Sequence, residues 1–212
     1  MLRRYKHISF DLDGTLVHTV PEYRHRVIPM AAKKIGKQPP APRLIDRIWF
    51  EANRDLIIKD EFGLDPEIFW TTFREIDTPE ERSKHTKPYG DAERTIRRLK
   101  EMGKTVSIIT GAPKWIAEME IGKLNGAPID FSLPIHAHNF SSKPDPASFF
   151  FVLEKLNAKP GETLYIGNSN EDAYFAKEAG VDFIYLERKE HQFDVRDWMV
   201  ATIQSLDEIF SL

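Results

Sequence analysis

The 212-residue sequence contains no cysteine. This absence excludes disulfide bonds, thiolate metal sites and a cysteine nucleophile, and it fits a cytoplasmic protein. Neither sign of charge is in large excess, because the formal net charge is only -3, so we expect no nucleic-acid-binding surface. The sequence also lacks an apolar run long enough to cross a bilayer, and its basic first residues lead into a run interrupted by two aspartates. We therefore expect neither a signal peptide nor contact with a membrane.

What the sequence does contain is a pair of carboxylates, Asp11 and Asp13, between a short apolar run and Gly14. Ile8 and Phe10 alternate with smaller or polar residues, as in a buried strand, and the glycine marks a sharp turn. The pair is therefore predicted at the carboxyl end of a strand, where open α/β sheets bind ligands. Two such acids could bind magnesium, attack phosphorus or transfer a proton. Taken alone, the motif equally fits a calcium loop or an ordinary acidic turn.

Residues 18–85 carry apolar side chains at helical spacing, with prolines and glycines between the predicted helices. Pro29 is expected to kink the first helix or to end it early. The predicted helices are residues 21–35, a helix from Leu44 that Gly63 closes, a helix beginning near Pro66, and residues 78–85 as a short helix or a linker. This segment is therefore predicted to be an all-helical insertion between the first strand and the rest of a sheet.

The remainder of the chain alternates apolar runs with amphipathic segments. The predicted strands are residues 105–109, 131–135, 163–166 and 183–186, and the predicted helices are residues 91–102, 114–124, 147–156, 171–179 and 203–210. Such alternation is typical of a parallel, doubly wound sheet covered by helices. The sequence thus predicts an α/β fold.

Three further stretches follow the carboxyl ends of predicted strands. Thr110 and Gly111 precede a helix, where free N–H groups suit an anion, although a plain N-cap would use the same residues. Lys143 lies between two serines and a proline turn and can neutralise a phosphate, although most loop lysines are merely solvated. Asn168 and Asp172 follow a glycine turn and could face a cation, although a helix cap with a first-turn acid is the alternative.

Four unrelated loops after strands are not expected to carry an acid pair, a hydroxyl, a lysine and a further acid in this order. The ordered set resembles the haloacid dehalogenase-like superfamily, in its phosphatase branch. The matching motifs are Phe-Asp-Leu-Asp-Gly-Thr-Leu at residues 10–16, Ile-Thr-Gly at 109–111, Ser-Lys-Pro at 142–144 and Gly-Asn-Ser-Asn-Glu-Asp at 167–172. The resemblance implies a Rossmann-like parallel-sheet core of residues 1–17 and 86–212 with an inserted all-helical cap domain of residues 18–85.

The resemblance also implies roles for the residues of the first three motifs. Asp11 would be the nucleophile and Asp13 the general acid and base. Lys143 would balance the charge at the nucleophile, and Thr110 with the Gly111 amide would hold the phosphoryl oxygens. The second acid argues against the dehalogenase branch, because an alkoxide leaving group needs a proton whereas a halide does not.

Magnesium (Mg²⁺) is the cofactor that the resemblance implies. Its ligands would be the Asp11 carboxylate, the Asp13 main-chain carbonyl and the fourth motif, which has Asn168 where the family usually has an aspartate. An amide oxygen can bind magnesium but brings no negative charge, so Asp172 is expected to compensate and the metal affinity should be weaker. Asn170 lies outside the family's metal position.

The expected function is magnesium-dependent hydrolysis of small phosphate monoesters, similar to that of phosphoglycolate phosphatase, through a phosphorylated Asp11. The cap domain would limit access to the site and exclude water. The alternative is a catalytically weak or inactive module that binds phosphate or a partner, because fold does not fix function and Asn168 changes the metal site. The expected partners are a small phosphorylated substrate and, at most, copies of the chain in a monomer or small homo-oligomer.

Overall fold

The apolar runs that precede the polar motifs form a six-stranded parallel sheet in the computed structural model, which describes residues 1–51, 53–191 and 198–212. The strands of the described residues are β1 His7–Phe10, β2 Val17–Thr19, β3 Thr86–Pro88, β4 Thr105–Thr110, β5 Phe131–Pro134, β6 Thr163–Gly167, β7 Asp182–Leu186 and β8 Ala201–Ile203. The order in the large sheet is β5-β4-β1-β6-β7-β8, and β2 pairs with β3 in a separate two-stranded sheet. The predicted α/β fold with a Rossmann-like parallel sheet is confirmed.

Helices connect these strands. Within the described residues they are α1 Pro21–Lys34, α2 Pro42–Phe50, α3 Arg54–Leu56, α4 Pro66–Arg74, α5 Pro79–His85, α6 Ala92–Glu101, α7 Lys114–Gly122, α8 Ala147–Lys155 and α9 Asn170–Glu178. A π-helical turn, Ile57–Glu61, follows α3, and a short 3-10 helix, Leu206–Phe210, follows β8. In the described part of the chain no helix combines the length and apolar character needed to cross a membrane.

β1 lies between β4 and β6, and Phe10 is opposite Ile108 on one side and Ile166 on the other. Because successive side chains point to opposite faces, Ile8 and Phe10 face one side of the sheet. That side packs against the buried residues of α6 and α7, and the other side packs against those of α8 and α9. The sheet is therefore buried on both faces, as parallel sheets require.

The chain divides into two compact units, Met1–His18 with Lys87–Leu212, and Thr19–Thr86. The second unit contains α1 to α5 and has its own apolar core. It also contains a buried ion pair, in which Arg82 donates from Nε and Nη2 to the two carboxylate oxygens of Asp77 at 2.9 and 2.8 Å. The Tyr23 hydroxyl donates to the same carboxylate at 2.7 Å. These bonds join the first and last helices of the unit.

Two expectations for the helical segment are corrected. The early end of the first helix at Pro29 is wrong: the proline lies inside α1, and buried residues before and after it hold the helix against its neighbours. The single helix predicted from Leu44 to Gly63 is broken after Phe50, and Ala52 lies outside the described residues. Ile48 and Ile57 are both buried, yet an unbroken helix would place them on opposite sides, since they are about two and a half turns apart.

The predictions also missed three short strands. β2 and β3 each have three residues, too few to show an alternating pattern. The closing helix predicted for residues 203–210 begins later, because residues 201–203 form β8. Ser205 caps the 3-10 helix that follows: its hydroxyl and the Glu208 side chain form a reciprocal capping box.

Candidate active site

Four loops next to the carboxyl ends of strands carry the polar residues that the sequence singles out. Asp11 follows β1 directly, Thr110 ends β4, and Asn168 follows the last residue of β6. Since β4 and β6 both pair with β1 in parallel register, these three strand ends lie side by side. Lys143 comes from the segment between β5 and α8. The parallel sheet therefore brings side chains from distant parts of the sequence to one edge.

The Lys143 ammonium is the centre of the site. Its Nζ atom donates three hydrogen bonds, each of 2.7 Å, to Asp11 Oδ1, Asp172 Oδ1 and the Tyr165 hydroxyl. The lysine side chain is 5% exposed. Burial alone would lower the pKa of Lys143, but the Asp11 and Asp172 carboxylates raise that pKa well above its usual value. A cation is therefore fixed beside Asp11.

Both carboxylate oxygens of Asp11 have a donor. Oδ1 accepts the bond from Lys143, and Oδ2 accepts a hydrogen bond of 3.2 Å from Thr15 Oγ1. Burial, together with the negative charge of Asp172, raises the pKa of Asp11 to about 7, against the attraction of Lys143. A carboxylate that is held at both oxygens and ionises near neutral pH is suited to nucleophilic attack.

Asp13 lies on the tight turn after β1. Gly14 adopts a positive φ of 82° in this turn and its N–H donates to the Val17 carbonyl at 2.7 Å. The Leu16 N–H donates to the Leu12 carbonyl at 2.9 Å and closes the turn. Asp13 remains partly exposed, unlike its buried neighbours in the sequence. An acid in this position has the access to water that general acid and base catalysis requires.

Asp172 is directed at protein donors. Its Oδ1 accepts from Lys143 and from the Tyr165 hydroxyl, the latter at 3.1 Å. Its Oδ2 accepts from the main-chain N–H groups of Asn168 and Ser169, each at 3.2 Å, and from Ser169 Oγ at 2.7 Å. Ser169 and Asp172 form the capping box of α9. The Asp172 carboxylate thus binds Lys143 through Oδ1 and stabilises the start of α9 through Oδ2.

The Asn168 amide packs against the turn that carries Asp13. A Cβ atom at Gly14 would lie only 2.1 Å from Asn168 Nδ2. The glycine therefore provides both the positive φ and the space for the amide. The structure thus brings Asn168 to the first motif, where the sequence predicted a metal ligand.

Thr110 and Gly111 flank this cluster without joining it. Thr110 is buried, and its Oγ1 accepts a hydrogen bond of 3.0 Å from the Ala112 N–H. Gly111 is exposed and has open space beside its α-carbon. Within the part of the chain that the structure describes, no hydrogen bond joins either residue to Lys143 or Asp11. Open space and an N–H at the end of β4 suit an incoming anion.

Thr15 and Tyr165 hold the cluster together but were not among the predicted site residues. The Tyr165 ring is fully buried and packs against Phe149, Phe175 and Phe183, with centroid distances of 5.2, 5.7 and 6.2 Å. Two signals were available in the sequence. Tyr165 precedes Gly167 by two residues, which places it on the same face of the strand, and Thr15 carries a hydroxyl within the first motif.

Comparisons with known proteins agree on one family. Residues 5–180 match the family model of the haloacid dehalogenase-like hydrolases. A phosphoglycolate phosphatase from Pseudomonas savastanoi is 31% identical over 196 residues, which cover 85% of this chain and 69% of the relative. An N-acetylmuramic acid 6-phosphate phosphatase from Pseudomonas aeruginosa is 25% identical over 84% of this chain and 79% of its own length.

Solved structures share the fold at lower sequence identity. A haloacid dehalogenase-like hydrolase from Bacteroides fragilis superposes with a TM-score of 0.76 and 21% identity over 97% of this chain and 99% of its own. A phosphatase of the same superfamily from Thermococcus onnurineus gives a TM-score of 0.70 and 22% identity over 97% and 96% of the two chains. At this level of sequence identity, the structural similarity supports the assignment of the fold alone.

Proposed function

The chain belongs to the haloacid dehalogenase-like hydrolases, and from this premise we propose that it is a phosphatase that hydrolyses small phosphate monoesters through Asp11. The observation that carries the proposal is the buried Lys143 ammonium, held 2.7 Å from the Asp11 carboxylate at the edge of the sheet. Relatives that are named phosphoglycolate phosphatase support small phosphorylated acids as the substrate class.

In the first step, an Asp11 carboxylate oxygen attacks phosphorus, and the bond between phosphorus and the ester oxygen breaks. Asp13 donates a proton to the departing alkoxide, which leaves as an alcohol. The contacts of Asp11 with Lys143 and Thr15 fix the carboxylate before attack, so little rearrangement is needed. The product of this step is a phosphoryl group on Asp11.

In the second step, water attacks the phosphoryl group and Asp13 accepts the proton from that water. The bond between phosphorus and the Asp11 oxygen breaks, which releases inorganic phosphate and restores the carboxylate. Lys143 offsets negative charge near Asp11 throughout, since its raised pKa keeps it protonated. Thr110 and the Gly111 N–H, at the open end of β4, would hold the phosphoryl oxygens.

Magnesium fits the oxygen donors at this edge. Within the described residues no group of three or more His, Cys, Asp and Glu side chains is arranged to hold a metal ion. Asp172 Oδ1 accepts two hydrogen bonds from protein donors and Oδ2 accepts three, whereas each Asp11 oxygen accepts one. The ligands would therefore be the Asp11 carboxylate, the Asp13 carbonyl and the Asn168 amide oxygen. Magnesium takes such oxygen ligands, keeps several waters and would supply positive charge to the phosphoryl oxygens.

The unit Thr19–Thr86 would select the substrate. It has an apolar core independent of the sheet, so its surface can vary without disturbing the residues that carry the chemistry. An insertion of this kind is a common source of specificity in hydrolases that work on many small molecules. We assign it as the cap domain on this basis.

A second candidate function is binding of phosphate or a partner without turnover. The observation that favours it is Asn168, which leaves the fourth motif without a charged oxygen in the metal position. The retained Asp11, Asp13 and Lys143 favour the enzyme. Magnesium-independent binding of inorganic phosphate, with no hydrolysis of any substrate, would support the second candidate.

The test is hydrolysis of p-nitrophenyl phosphate and of a panel that includes phosphoglycolate, with and without magnesium. We expect magnesium-dependent turnover by the wild type and none above background by Asp11→Asn. Asp182→Asn is the matched control, because Asp182 begins β7 at the opposite edge of the sheet. Full activity of Asp11→Asn would overturn the mechanism.

A further inference from the structure

Arg188 lies two residues after β7 and outside the four motifs. Its side chain is 9% exposed. The guanidinium donates from Nη1 to Asp91 Oδ2 and from Nη2 to Asp91 Oδ1, each at 2.8 Å. Nη2 also donates to the main-chain carbonyl of Thr15 at 2.9 Å. Arg188 therefore connects a buried acid to the loop that follows the nucleophile.

Thr15 has two contacts that point in different directions. Its carbonyl accepts from Arg188, and its hydroxyl donates to Asp11 Oδ2 at 3.2 Å. The residue is fully buried within the turn after β1. A displacement of the Thr15 backbone would therefore move the hydroxyl away from the nucleophile.

Further contacts hold Asp91 and Arg188 at the other end of this connection. Asp91 Oδ2 also accepts from Ser205 Oγ and from the Leu206 N–H, each at 2.9 Å. The guanidinium carbon of Arg188 lies 3.9 Å from the centre of the Tyr89 ring. Asp91 is the N-cap residue of α6, but its side chain makes no cap hydrogen bond and binds Arg188 instead. A fixed guanidinium can hold the loop in one place.

We propose that Arg188 is a positioning residue for the phosphatase reaction: through the Thr15 carbonyl it holds the Thr15 hydroxyl on the Asp11 carboxylate. This inference rests on the proposed function. An ion pair with Asp91 alone would stabilise the fold without affecting catalysis. The additional bond to Thr15 is what links Arg188 to the reacting group, and guanidinium geometry allows both bonds at once.

The experiment is a double-mutant cycle with Arg188→Gln and Thr15→Val, assayed with p-nitrophenyl phosphate in saturating magnesium. Each single variant should lower kcat by roughly tenfold, while KM changes by less than about twofold, because the contact acts on the geometry of the nucleophile. The double variant should be no slower than the slower single variant, since both remove the same hydrogen bond from Asp11.

Arg97→Gln is the matched control, because it removes a guanidinium that is paired with Glu93 on α6 and, among the described residues, has no hydrogen bond to the Thr15 turn. It should leave kcat within about twofold. Arg188→Lys keeps a positive charge beside Asp91, so it provides a folded variant if Arg188→Gln does not fold. Its single ammonium lacks the fork that bonds Asp91 and Thr15 together, so its kcat should also fall.

Two results would overturn the inference. One is an unchanged kcat in folded Arg188→Gln or Arg188→Lys. The other is multiplication of the two single effects in the double variant, which would mean that Arg188 acts independently of Thr15. Failure of the proposed function would look different, because the wild type itself would not turn over.

Discussion

At the scale of single residues, the site is defined by one cation among carboxylates. Lys143 contacts both Asp11 and Asp172 within 2.7 Å, yet burial still raises the pKa of Asp11 to about 7. The two acids repel each other, and one lysine offsets only part of that repulsion. A bound divalent cation would complete the balance of charge, and two predictions follow from this.

The first concerns the pH dependence of catalysis. In the proposed mechanism only the ionised Asp11 attacks phosphorus, so kcat/KM for p-nitrophenyl phosphate should fall as the pH drops below about 7. Magnesium favours the carboxylate, so raising its concentration should move this acid limb to lower pH. The measurement is a pH profile at limiting and at saturating magnesium. An acid limb that does not respond to magnesium would contradict a metal at Asp11.

The second concerns Asn168→Asp. The added carboxylate should lower the half-saturating magnesium concentration by roughly tenfold, because ligand charge raises the affinity for a divalent cation. Without magnesium the same variant should melt at a lower temperature, since the new charge lies near other acids.

Titration calorimetry with magnesium and thermal melts would measure both effects of Asn168→Asp. Asn170→Asp makes the same change of charge two residues later and is the control, expected to leave the magnesium affinity unchanged. An equal effect of the two variants would show that net charge, and not ligation by residue 168, sets the affinity.

At the scale of elements, β1 and the turn after it determine the geometry of the site. β1 pairs with two parallel neighbours, and its end delivers Asp11 beside the ends of β4 and β6. The turn then reverses the chain around Gly14, against which Asn168 packs. The strand also has a polar face: His7 contacts Thr163 Oγ1 at 3.3 Å and Ser107 Oγ at 2.8 Å. Each feature leads to a prediction.

Gly14→Ala should destabilise the protein by more than backbone strain alone. A positive φ costs a non-glycine residue about 1–2 kcal/mol, and the new Cβ would also lie 2.1 Å from Asn168 Nδ2. Gly36→Ala is the control, because Gly36 has the same φ of 82° and nothing within 4 Å of its built Cβ. Denaturant unfolding should show a larger loss at Gly14. Equal losses would contradict the packing of Asn168 against the turn.

His7 should make the protein sensitive to acid. Burial lowers the pKa of His7 from 6.5 to about 4. Between these values the unfolded chain binds a proton that the folded chain excludes, so stability is retained above pH 6.5 and is lost as the pH falls. The loss is about 3 kcal/mol at pH 4.

His7→Gln should flatten this part of the profile of unfolding free energy against pH. His138→Gln, at an exposed histidine, is the control and should leave the slope unchanged. If His7→Gln retains the wild-type slope, other groups account for the loss of stability in acid.

At the scale of the whole molecule, the chain forms two units, each with its own apolar core. The unit Thr19–Thr86 adds a buried ion pair, Asp77 with Arg82, whose side chains are 4% and 8% exposed. Removing one member of such a pair leaves the other charge buried and unpaired. The consequence should be confined to the unit that contains the pair.

Arg82→Gln should therefore destabilise residues 19–86 by roughly 3 kcal/mol. The protection of the sheet amides against hydrogen exchange should stay unchanged. Hydrogen exchange of the full chain measures both units in one experiment. Amides in α1 and α4 should exchange faster, while those in β1 and β6 should not. Faster exchange throughout the chain would show that the two units unfold together.

The sequence alone determined the family of the fold and most of its strands and helices. Strands such as β4 and β6 are short, largely apolar runs next to glycine or polar turns, so local pattern was sufficient to predict them. The four motifs were also predictable, because each combines a strand end with a residue whose chemistry is unusual in a plain loop. The path of α1 through Pro29 and the break after Phe50 were not predictable, since packing overrides local preference there.

Only the tertiary structure decided how the motif residues are used. Asp172 has the same sequence signal whether it binds a metal or a lysine, and the fold directs both of its oxygens to protein donors. Tyr165 and Arg188 bond to Lys143 and Thr15, which are distant in the sequence, so no local pattern predicts these hydrogen bonds. Thr15 lies within the first motif, but its hydrogen bond to Asp11 also became evident only in the folded turn. Residue type and spacing determine what chemistry is available, whereas the contacts that direct it depend on which strands become neighbours in the folded chain.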